Sequence, residues 1–482
     1  MTALGWIWSV GSALLLGYFI LAWILPTRNV TWLQMGFRLS AAAGLGFGVS
    51  SVTYFALGLF TNRTILAVLA MDAALLAGTT TAAVAWRRRY RGPAPTPRAA
   101  RPEGRMIALL LLAGVVCGGI PLARYWYANP YGGHDAIMIW NLKARFLAQT
   151  DPSWRGASSP WLVHGHPDYP LLLPASIGRC WLYSGEQTPV APVFFAGGFA
   201  FSALGLLFFG VSMLRGVASG GMAAAVLLGT PEFLEQIAIQ YADIPMAFFV
   251  LAALMFVFLA EREPGARGRL LAVAGINAAL AAWTKNEGLL FLLVAGLGYF
   301  AASAFLDGPK NALRRVVAFL AGALPVVLVV VYFKIVIAPS NDLFEHQSVW
   351  TILDRGTNPS RYVQIVAALG NLLCSFSTGF ACPLLALAVA AVCFGIRVEP
   401  EDRKAVQISS AIMGALVMGY FLIYLITPKP LGWHLMTSLN RVCVQAWPAI
   451  VALSFIVIGN PVQTFADRGQ LLNTSWIASA QP

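Results

Sequence analysis

Long apolar runs dominate this chain, and short polar or charged stretches separate them. A helix needs about 20 mostly apolar residues to cross the hydrocarbon layer of a membrane, and many of the runs have that length. The pattern predicts thirteen spans, at 4–25, 33–59, 64–86, 106–126, 189–214, 217–232, 243–260, 270–284, 287–306, 314–337, 377–396, 406–426 and 442–459. We therefore expect an all-α, polytopic transmembrane helical bundle.

The composition agrees with this architecture. Hydrophobic residues make up 58% of the 482 residues and charged residues 11%, against about 25% charged in an ordinary soluble chain. The first run, 4–25, lacks the basic start and the small-residue cleavage site of a signal peptide, so we interpret it as a retained span. The six cysteines lie mostly in apolar runs without metal-like spacing, so we predict no disulfide framework.

The charged connections predict the orientation in the membrane. The net charge is +12, but the basic residues lie in short connections between spans, as expected for cytoplasmic loops rather than for a nucleic-acid surface. The cytoplasmic stretches would be 87–105, 261–269, 310–315 and 397–404. The polar connections 127–188, 233–242, 284–287, 338–360 and 427–441 then lie outside, and 361–376 is interpreted as a short interfacial helix. We divide the chain into N-terminal spans with a basic linker (1–105), a membrane catalytic unit (106–459) and a cytoplasmic tail (460–482).

The first large outer connection opens with the stretch YGGHDAIMIWNLKARF, from Tyr131 to Phe146. The pattern from 136 to 149 predicts a helix with a polar stripe (His134, Asn141, Arg145, Gln149) and an apolar one (Ile137, Trp140, Ala144, Leu147). We expect it to lie flat in the membrane interface, with Trp140 at the depth of the headgroups. Asp135 would stand at the mouth of the preceding span, where it either caps the helix or meets a lipid-borne group.

A turn follows in the same connection, with the sequence HGHPDYPLLLP from His164 to Pro174. Its prolines predict a rigid, non-helical turn. His164, His166 and Asp168 are a weak metal signal, and interfacial packing of Tyr169 and Trp161 is the simpler interpretation.

Charged residues also stand at the mouths of later spans. Asp243 begins a span, where it either caps the helix or faces the same cavity as Asp135. Lys285 and Glu287 lie between two spans with hardly any connection, where ionised groups are costly and usually functional or paired. A pair between Lys285 and Glu287 within the turn is the simpler alternative.

The last outer connection leads into a helix with one polar face, formed by His434, Ser438, Arg441 and Gln445 at spacings of four, three and four. An arginine at this depth needs an anion, which is either a partner carboxylate or a phosphate. Extension of Arg441 to the headgroups is the alternative, but it does not explain the aligned His434 and Ser438.

The order of these motifs resembles that of the GT-C superfamily of integral membrane glycosyltransferases. The resemblance rests on an Asp that opens the first large outer loop, a His-Pro-x-Tyr-Pro-like turn later in that loop, and Trp-His-Leu…Ser…Arg in the last one. The resemblance covers roughly 106–459. Within the superfamily, the chain is similar to the bacterial branch that includes aminoarabinose transferases and to the protein O-mannosyltransferases. Many members carry a second acid beside the first-loop Asp, whereas here Ala136 follows Asp135 and His134 precedes it.

The resemblance implies the kind of donor and the role of Asp135, and the position and charge of the other candidate residues suggest theirs. Asp135 would be the catalytic base of an inverting transfer from a polyprenyl-phosphate sugar to a hydroxyl of a glycan, lipid or protein acceptor, on the periplasmic face of the bacterial inner membrane. Arg441, Lys285, His434 and Lys143 would bind the donor phosphate, and His134, Asp168, Tyr169, Asp243, Glu287 and Trp433 would line the substrate cavity. No cofactor is assigned, and a divalent metal has no support from the residue pattern.

Two other classes of protein fit a polytopic chain with charged residues near the membrane. A transporter or flippase for a lipid-linked or anionic substrate would show two similar halves with Gly- or Pro-broken spans at matching positions, and the sequence shows no convincing repeat. A structural or assembly subunit without an active site would tolerate changes at Asp135.

Overall fold

The apolar runs fold into helices. The computed structural model describes residues 2–25, 30–89, 114, 118–341, 343, 347–375 and 382–466. Its helices are α1 (Thr2–Ile24), α2 (Trp32–Phe60), α3 (Ile65–Arg89), α4 (118–128), α5 (Leu142–Leu147), α6 (Leu172–Ser184), α7 (Val190–Arg215), α8 (Val217–Leu228), α9 (Pro231–Ala238), α10 (Asp243–Arg262), α11 (Arg267–Thr284), α12 (Asn286–Asp307), α13 (Pro309–Tyr332), α14 (Val349–Thr357), α15 (Pro359–Ser375), α16 (Pro383–Phe394), α17 (Arg403–Ile426) and α18 (Leu431–Val457). Within this part of the chain there is no β-strand, only one isolated antiparallel bridge between Ile396 and Ile458. The predicted all-α class is confirmed.

The described residues also include a short helical segment at 461–466, two π-helical turns and two 3₁₀ turns. Ala136–Asn141 is a π-helical turn that runs directly into α5, and Phe333–Ile337 is another that extends α13. Pro152–Ser158 and Val163–Gly165 are 3₁₀ turns in the first large connection.

Nine of the described helices are long and apolar enough to cross a membrane, which indicates an integral membrane protein. They are α1, α2, α3, α7, α10, α12, α13 with its π-helical extension, α17 and α18. Helices α8 and α9 together would make a tenth span, with a bend of 63° between them. Of the remaining predicted spans, 270–284 is the buried helix α11, 377–396 contains the 12-residue helix α16, and most of 106–126 lies outside the described residues. The count of thirteen spans stays a prediction.

Helix α10 is the centre of the bundle. Every residue from Asp243 to Glu261 is buried, and α7, α11, α17 and α18 pack around the helix. The surrounding hydrophobic core extends without a break from Ala13 in α1 to Phe455 in α18. The N-terminal helices therefore share one core with the predicted catalytic unit.

Small residues allow some of these helices to approach very closely. A Cβ atom on Gly275 would lie 1.9 Å from the carbonyl oxygen of Phe319, so α11 and α13 touch backbone to backbone. A Cβ atom on Gly288 would lie 1.8 Å from the oxygen of Ala281, which explains how α11 and α12 are joined through a single residue. Close approach at small residues is typical of helices packed inside membranes.

The bundle has two charged ends, one at each end of α10. We call the end that holds Asp243, Lys285 and Arg441 the site end, and the opposite end, with Glu261 and Lys404, the distal end. Most of the basic linker (90–105) and of the tail (467–482) lies outside the described residues.

Helices α15 and α16 together extend from the site end to the distal end. Arg361 in α15 donates hydrogen bonds to the carbonyl oxygens of Leu425 (2.7 Å) and Thr427 (3.2 Å) at the site end of α17. Ile396, just after α16, pairs with Ile458 at the distal end of α18. The stretch 361–376, which we interpreted as an interfacial helix, is mostly α15, and its Ile365 packs against α17 and α18.

Candidate functional site

The helix that follows Asp135 is buried in the protein on the side that we expected to face lipid. Trp140, Ala144 and Leu147 are fully buried, and the ring of Trp140 stacks on that of Tyr169 at 5.8 Å. The predicted contact of Trp140 with the lipid headgroups is therefore wrong, because the turn at Tyr169 covers the indole. The expected polar stripe is also broken, since Asn141 is buried and donates a hydrogen bond to the oxygen of Tyr131.

Asp135 does not cap this helix through its side chain. Its carboxylate Oδ2 accepts a hydrogen bond from Arg441 Nη1 at 2.8 Å, and Oδ1 lies 3.4 Å from His134 Nδ1. The backbone N–H of Asp135 donates to the hydroxyl of Tyr241 at 3.2 Å. The Asp135 side chain is 23% exposed and that of His134 75%, so both can be reached from outside the protein.

Arg441 joins two carboxylates. While Nη1 donates to Asp135, Nε donates to Asp243 Oδ2 at 3.2 Å, and the guanidinium lies 4.7 Å from the centre of the Tyr241 ring. One turn further along α18, Gln445 Nε2 donates to Asp243 Oδ1 at 2.6 Å. The predicted polar face of this helix therefore exists, and two of its members meet the same carboxylate.

Behind Arg441 the ion pairs continue into the bundle. Asp243 is fully buried, and its Oδ1 lies 2.8 Å from Lys285 Nζ. Lys285, the single extended residue between α11 and α12, is itself buried and lies 3.1 Å from Glu287 Oε1. The expected Lys285–Glu287 pair is present, but Lys285 also contacts Asp243. Its ammonium group therefore binds two carboxylates within the protein, and Asp243 lies between it and Arg441.

The other residues predicted on α18 lie nearer its start. The ring of His434 packs edge-on against Tyr424 at 5.0 Å, and the Tyr424 hydroxyl is hydrogen-bonded to Ser438 Oγ at 2.9 Å. Trp433 is half exposed and has Lys429 Nζ 5.7 Å from its ring centre. His434 is seven residues, or about 10 Å along a helix, from Arg441.

A second polar cluster holds the turn at His166–Tyr169. Asp168 is buried and accepts hydrogen bonds from Asn286 Nδ2 (2.7 Å) and Asn341 Nδ2 (2.9 Å), and Lys334 Nζ lies 3.6 Å from its carboxylate. Lys334 also donates to Asn286 Oδ1 at 2.6 Å. The carboxylate of Asp168 thus ties the turn to α12 and to the end of α13.

Lys143 is fully buried beneath the same turn, where Nζ donates to the carbonyl oxygens of His166 (2.5 Å) and Tyr169 (3.3 Å). Burial lowers the pKa of Lys143 to about 7. Its ammonium group therefore contacts backbone carbonyls, whereas we had predicted contact with a donor phosphate.

Among the described residues, no group of three or more His, Cys, Asp or Glu side chains has the geometry to hold a metal ion. Cations stand between the carboxylates of the site: Arg441 between Asp135 and Asp243, and Lys285 between Asp243 and Glu287. The structure therefore adds nothing to the weak metal signal of His164, His166 and Asp168.

Sequence reasoning missed several residues that complete these clusters. Tyr241 contacts both Asp135 and Arg441, and Lys334, Asn286 and Asn341 surround Asp168. A signal existed for Lys334, because it is a lone cation at the end of the apolar run 314–337. A buried pair elsewhere, Asp72 with Arg179 at 2.5 Å, was missed although Asp72 is the only acid in its apolar run.

Comparisons with protein-family models, with curated proteins and with solved structures give no match for this chain. The candidate site is therefore described by its own geometry: a partly exposed carboxylate paired with a guanidinium, in front of a buried layer of ion pairs.

Proposed function

We propose that this protein is a membrane glycosyltransferase of the GT-C type. In this proposal it moves a sugar, with inversion, from a polyprenyl-phosphate donor to a hydroxyl group of a glycan, lipid or protein acceptor. The observation that supports it most is the contact between Asp135 and Arg441, at one end of an apolar helical bundle. A base and a phosphate-binding cation side by side are the two groups that this transfer requires.

Asp135 is the proposed general base. The transfer breaks the bond between the sugar C1 and the phosphate oxygen, and the acceptor oxygen forms a new bond to C1 from the opposite face. The acceptor hydroxyl loses its proton in this step, and a carboxylate within hydrogen-bonding reach takes it up. Asp135 supports this role by its accessibility: its side chain is 23% exposed and lies beside the exposed ring of His134.

Arg441 is the proposed phosphate-binding group. Electrons of the broken C1–O bond remain on the phosphate, whose charge changes from about −1 to −2 during the reaction. A fixed cation near this growing charge stabilises the transition state, commonly the largest single contribution to catalysis. Arg441 is 17% exposed and its guanidinium can bind a phosphate with two parallel hydrogen bonds.

The buried layer behind Arg441 has a supporting role in this proposal. Asp243, itself held by Lys285 and Gln445, fixes Nε of the guanidinium and so orients the outward-facing N–H groups. Lys285 acts through Asp243. Glu287 Oε2 is buried and accepts no hydrogen bond from the described residues, and a sugar hydroxyl is a donor of the type that fits it.

The test is transfer by the purified full chain in liposomes, with a panel of radiolabelled polyprenyl-phosphate sugars and of glycan, lipid and protein acceptors. Wild-type protein should form a glycosylated acceptor, and Asp135→Asn should lower the rate by about 10²- to 10⁴-fold. Asp151→Asn is the matched control, because Asp151 lies on the same connection and its carboxylate contacts Ser153. Normal transfer by Asp135→Asn would refute the proposal, and movement of the donor between leaflets without transfer would favour the flippase alternative.

The proposed site lies on the periplasmic face of a bacterial inner membrane, with the distal end in the cytoplasm. Membrane-impermeant thiol reagents test this after the native cysteines are replaced. Exposed residues suited to the labelling are Trp161 and Ser348 on the site side and Gly265 on the distal side. Cysteines at 161 and 348 should react in intact cells and a cysteine at 265 only after lysis, and the reverse pattern would refute the orientation.

A further inference from the structure

The two carboxylates that contact Arg441 differ in burial and in their number of hydrogen-bond donors. One of its carboxylate partners, Asp243, is fully buried and has three donors: Lys285, Gln445 and Arg441 itself. The other partner, Asp135, is 23% exposed, and its one short contact is Arg441 Nη1 at 2.8 Å. Removing Asp243 from Arg441 would leave a charge in the core, whereas Asp135 can exchange Arg441 for water.

The charge balance also limits what else can bind. The connected residues Asp135, Asp243 and Glu287 carry three negative charges, and Arg441 and Lys285 carry two positive ones, which gives a net charge of −1 with neutral histidines. A phosphate that approaches Arg441 from the exposed side meets Asp135 on the same guanidinium. Two anions on one half-buried cation repel each other, so they compete for it.

We propose that Asp135 and the donor phosphate compete for Arg441, so that binding of the phosphate releases the catalytic carboxylate. This inference rests on the proposed function. Asp135, once displaced from Nη1, points its free carboxylate toward the acceptor hydroxyl. An acceptor that arrives before the donor finds Asp135 still held by Arg441, so the donor binds first.

The same competition favours the reaction in the forward direction. When Asp135 takes the acceptor proton it becomes neutral, and its attraction for Arg441 falls. At that moment the leaving phosphate gains a negative charge, because it keeps the electron pair of the broken C1–O bond. Arg441 therefore stays with the phosphate until the proton leaves Asp135, after which the carboxylate can displace the phosphate product.

The inference makes a prediction of unusual sign. A residue that merely helps to bind the phosphate weakens binding when it is changed, but loss of a competitor strengthens it. Asp135→Asn keeps the size of the side chain and removes its charge, so it should bind a phosphate more tightly while transferring sugar about 10²- to 10⁴-fold more slowly. We expect an increase in affinity of about three- to tenfold, the range for a partly exposed charged hydrogen bond.

The experiment measures binding of a short-chain polyprenyl monophosphate, without a sugar, to the full chain in detergent by isothermal titration calorimetry. The variants are Asp135→Asn, Arg441→Gln, the double variant, and Asp151→Asn as a control of the same chemistry. Gel filtration and thermal unfolding check that each variant is folded. If the Arg441 variants do not fold, the comparison of Asp135→Asn with Asp151→Asn decides alone.

Tighter binding by Asp135→Asn, abolished in the double variant, would support the competition, because the coupling would then require both residues. Unchanged or weaker binding by Asp135→Asn, with Arg441-dependent binding by wild type, would overturn the competition and leave the proposed phosphate site intact. Equal binding by wild type and Arg441→Gln would overturn both, since the phosphate would then not lie on Arg441.

Discussion

The two ends of α10 carry ion clusters of opposite design. At the distal end two carboxylates share three cations: Glu261 lies 2.9 Å from Lys404, 3.8 Å from Arg267 and 3.9 Å from Arg315, and Asp307 also pairs with Lys404 and Arg315. At the site end one cation, Arg441, lies between two carboxylates, at 2.8 and 3.2 Å. The cluster around Glu261 and Asp307 has three cations to two carboxylates, whereas the site cluster has two cations, Arg441 and Lys285, to three carboxylates.

Each cluster has one fully buried acid, Glu261 or Asp243, but the two differ in the exposure of the cations around it. The distal pair of Arg262 and Glu401 is 26% and 62% exposed, and the three cations around Glu261 are 15 to 27% exposed. At the site end the side chains of Asp243 and Lys285 are 0% and 2% exposed. Exposed pairs add about 0–1 kcal/mol each to stability, whereas loss of one partner of a buried pair costs about 3–5 kcal/mol.

The difference shows what each end is suited to do. Partly exposed cations around Glu261 and Asp307 join the distal ends of neighbouring helices. A guanidinium shared by a buried and an exposed carboxylate can change one partner and keep the other. At the site end the buried partner of that guanidinium, Asp243, is also held by Lys285 and Gln445, which makes it a rigid support.

Removing one acid from each end should give the largest difference in stability. Asp243→Asn leaves Lys285 and Arg441 without their shared buried carboxylate, and we expect a loss of about 3–5 kcal/mol in the free energy of unfolding. Glu401→Gln, which removes the acid of an exposed distal pair, should cost about 1 kcal/mol or less. Unfolding in mixed detergent–SDS micelles measures both, and equal losses would show that the two clusters do not differ in this way.

Lys143 is a buried cation whose hydrogen-bond acceptors are backbone carbonyls and not carboxylates. Its pKa of about 7 lies below the ordinary value of 10.5 because of burial, so the unfolded chain binds the proton more tightly than the folded chain. The folded state is therefore penalised fully below pH 7, and the penalty is relieved as the pH rises from about 7 toward 10.5. The gain is at most about 1.4 kcal/mol per pH unit.

Thermal unfolding of wild type and Lys143→Met between pH 6 and 10 tests this prediction. Wild type should gain stability relative to the variant as the pH rises above 7, since methionine has no proton to lose. A constant difference between the two proteins across this range would contradict the lowered pKa.

Part of this site was predictable from sequence, because helical spacing fixes which residues share a face. The spacing of Arg441 and Gln445 placed both on one side of α18, and both bind Asp243. The all-α class followed from the apolar runs in the same way. What spacing does not give is the partner: nothing in the sequence pairs Arg441 with Asp135, which is 306 residues away along the chain.

The errors have a common physical cause. In a soluble protein an apolar stripe faces the core, but in a membrane protein lipid and protein are equally apolar, so the stripe does not reveal which of them covers it. Trp140 was predicted in the headgroups for this reason, yet Tyr169 covers it. Lys143 was predicted to face a phosphate because it is charged, but the turn at His166–Tyr169 encloses it.

The shape of the Arg441 side chain, as distinct from its charge, should matter for the donor. Arg441→Lys retains a positive charge, but one ammonium group cannot reach Asp243 and a phosphate with the separate N–H groups of a guanidinium. We expect about a tenfold loss in affinity for the polyprenyl monophosphate. Arg155→Lys, an exposed site on the first large connection, is the control and should bind normally. Wild-type affinity in Arg441→Lys would mean that charge alone is sufficient.

The smallest effect is expected at His134, the second partner of Asp135. Its ring is 75% exposed and lies 3.4 Å from Asp135 Oδ1, so the contact is weak and competes with water. His134→Ala should change the transfer rate by less than about fivefold, because an exposed ion pair contributes about 1 kcal/mol or less. The measurement is the transfer rate of the reconstituted variant beside that of wild type. A loss at His134→Ala as large as that at Asp135→Asn would make the histidine a catalytic group, and the pairing of Asp135 with Arg441 would no longer be what distinguishes the site end.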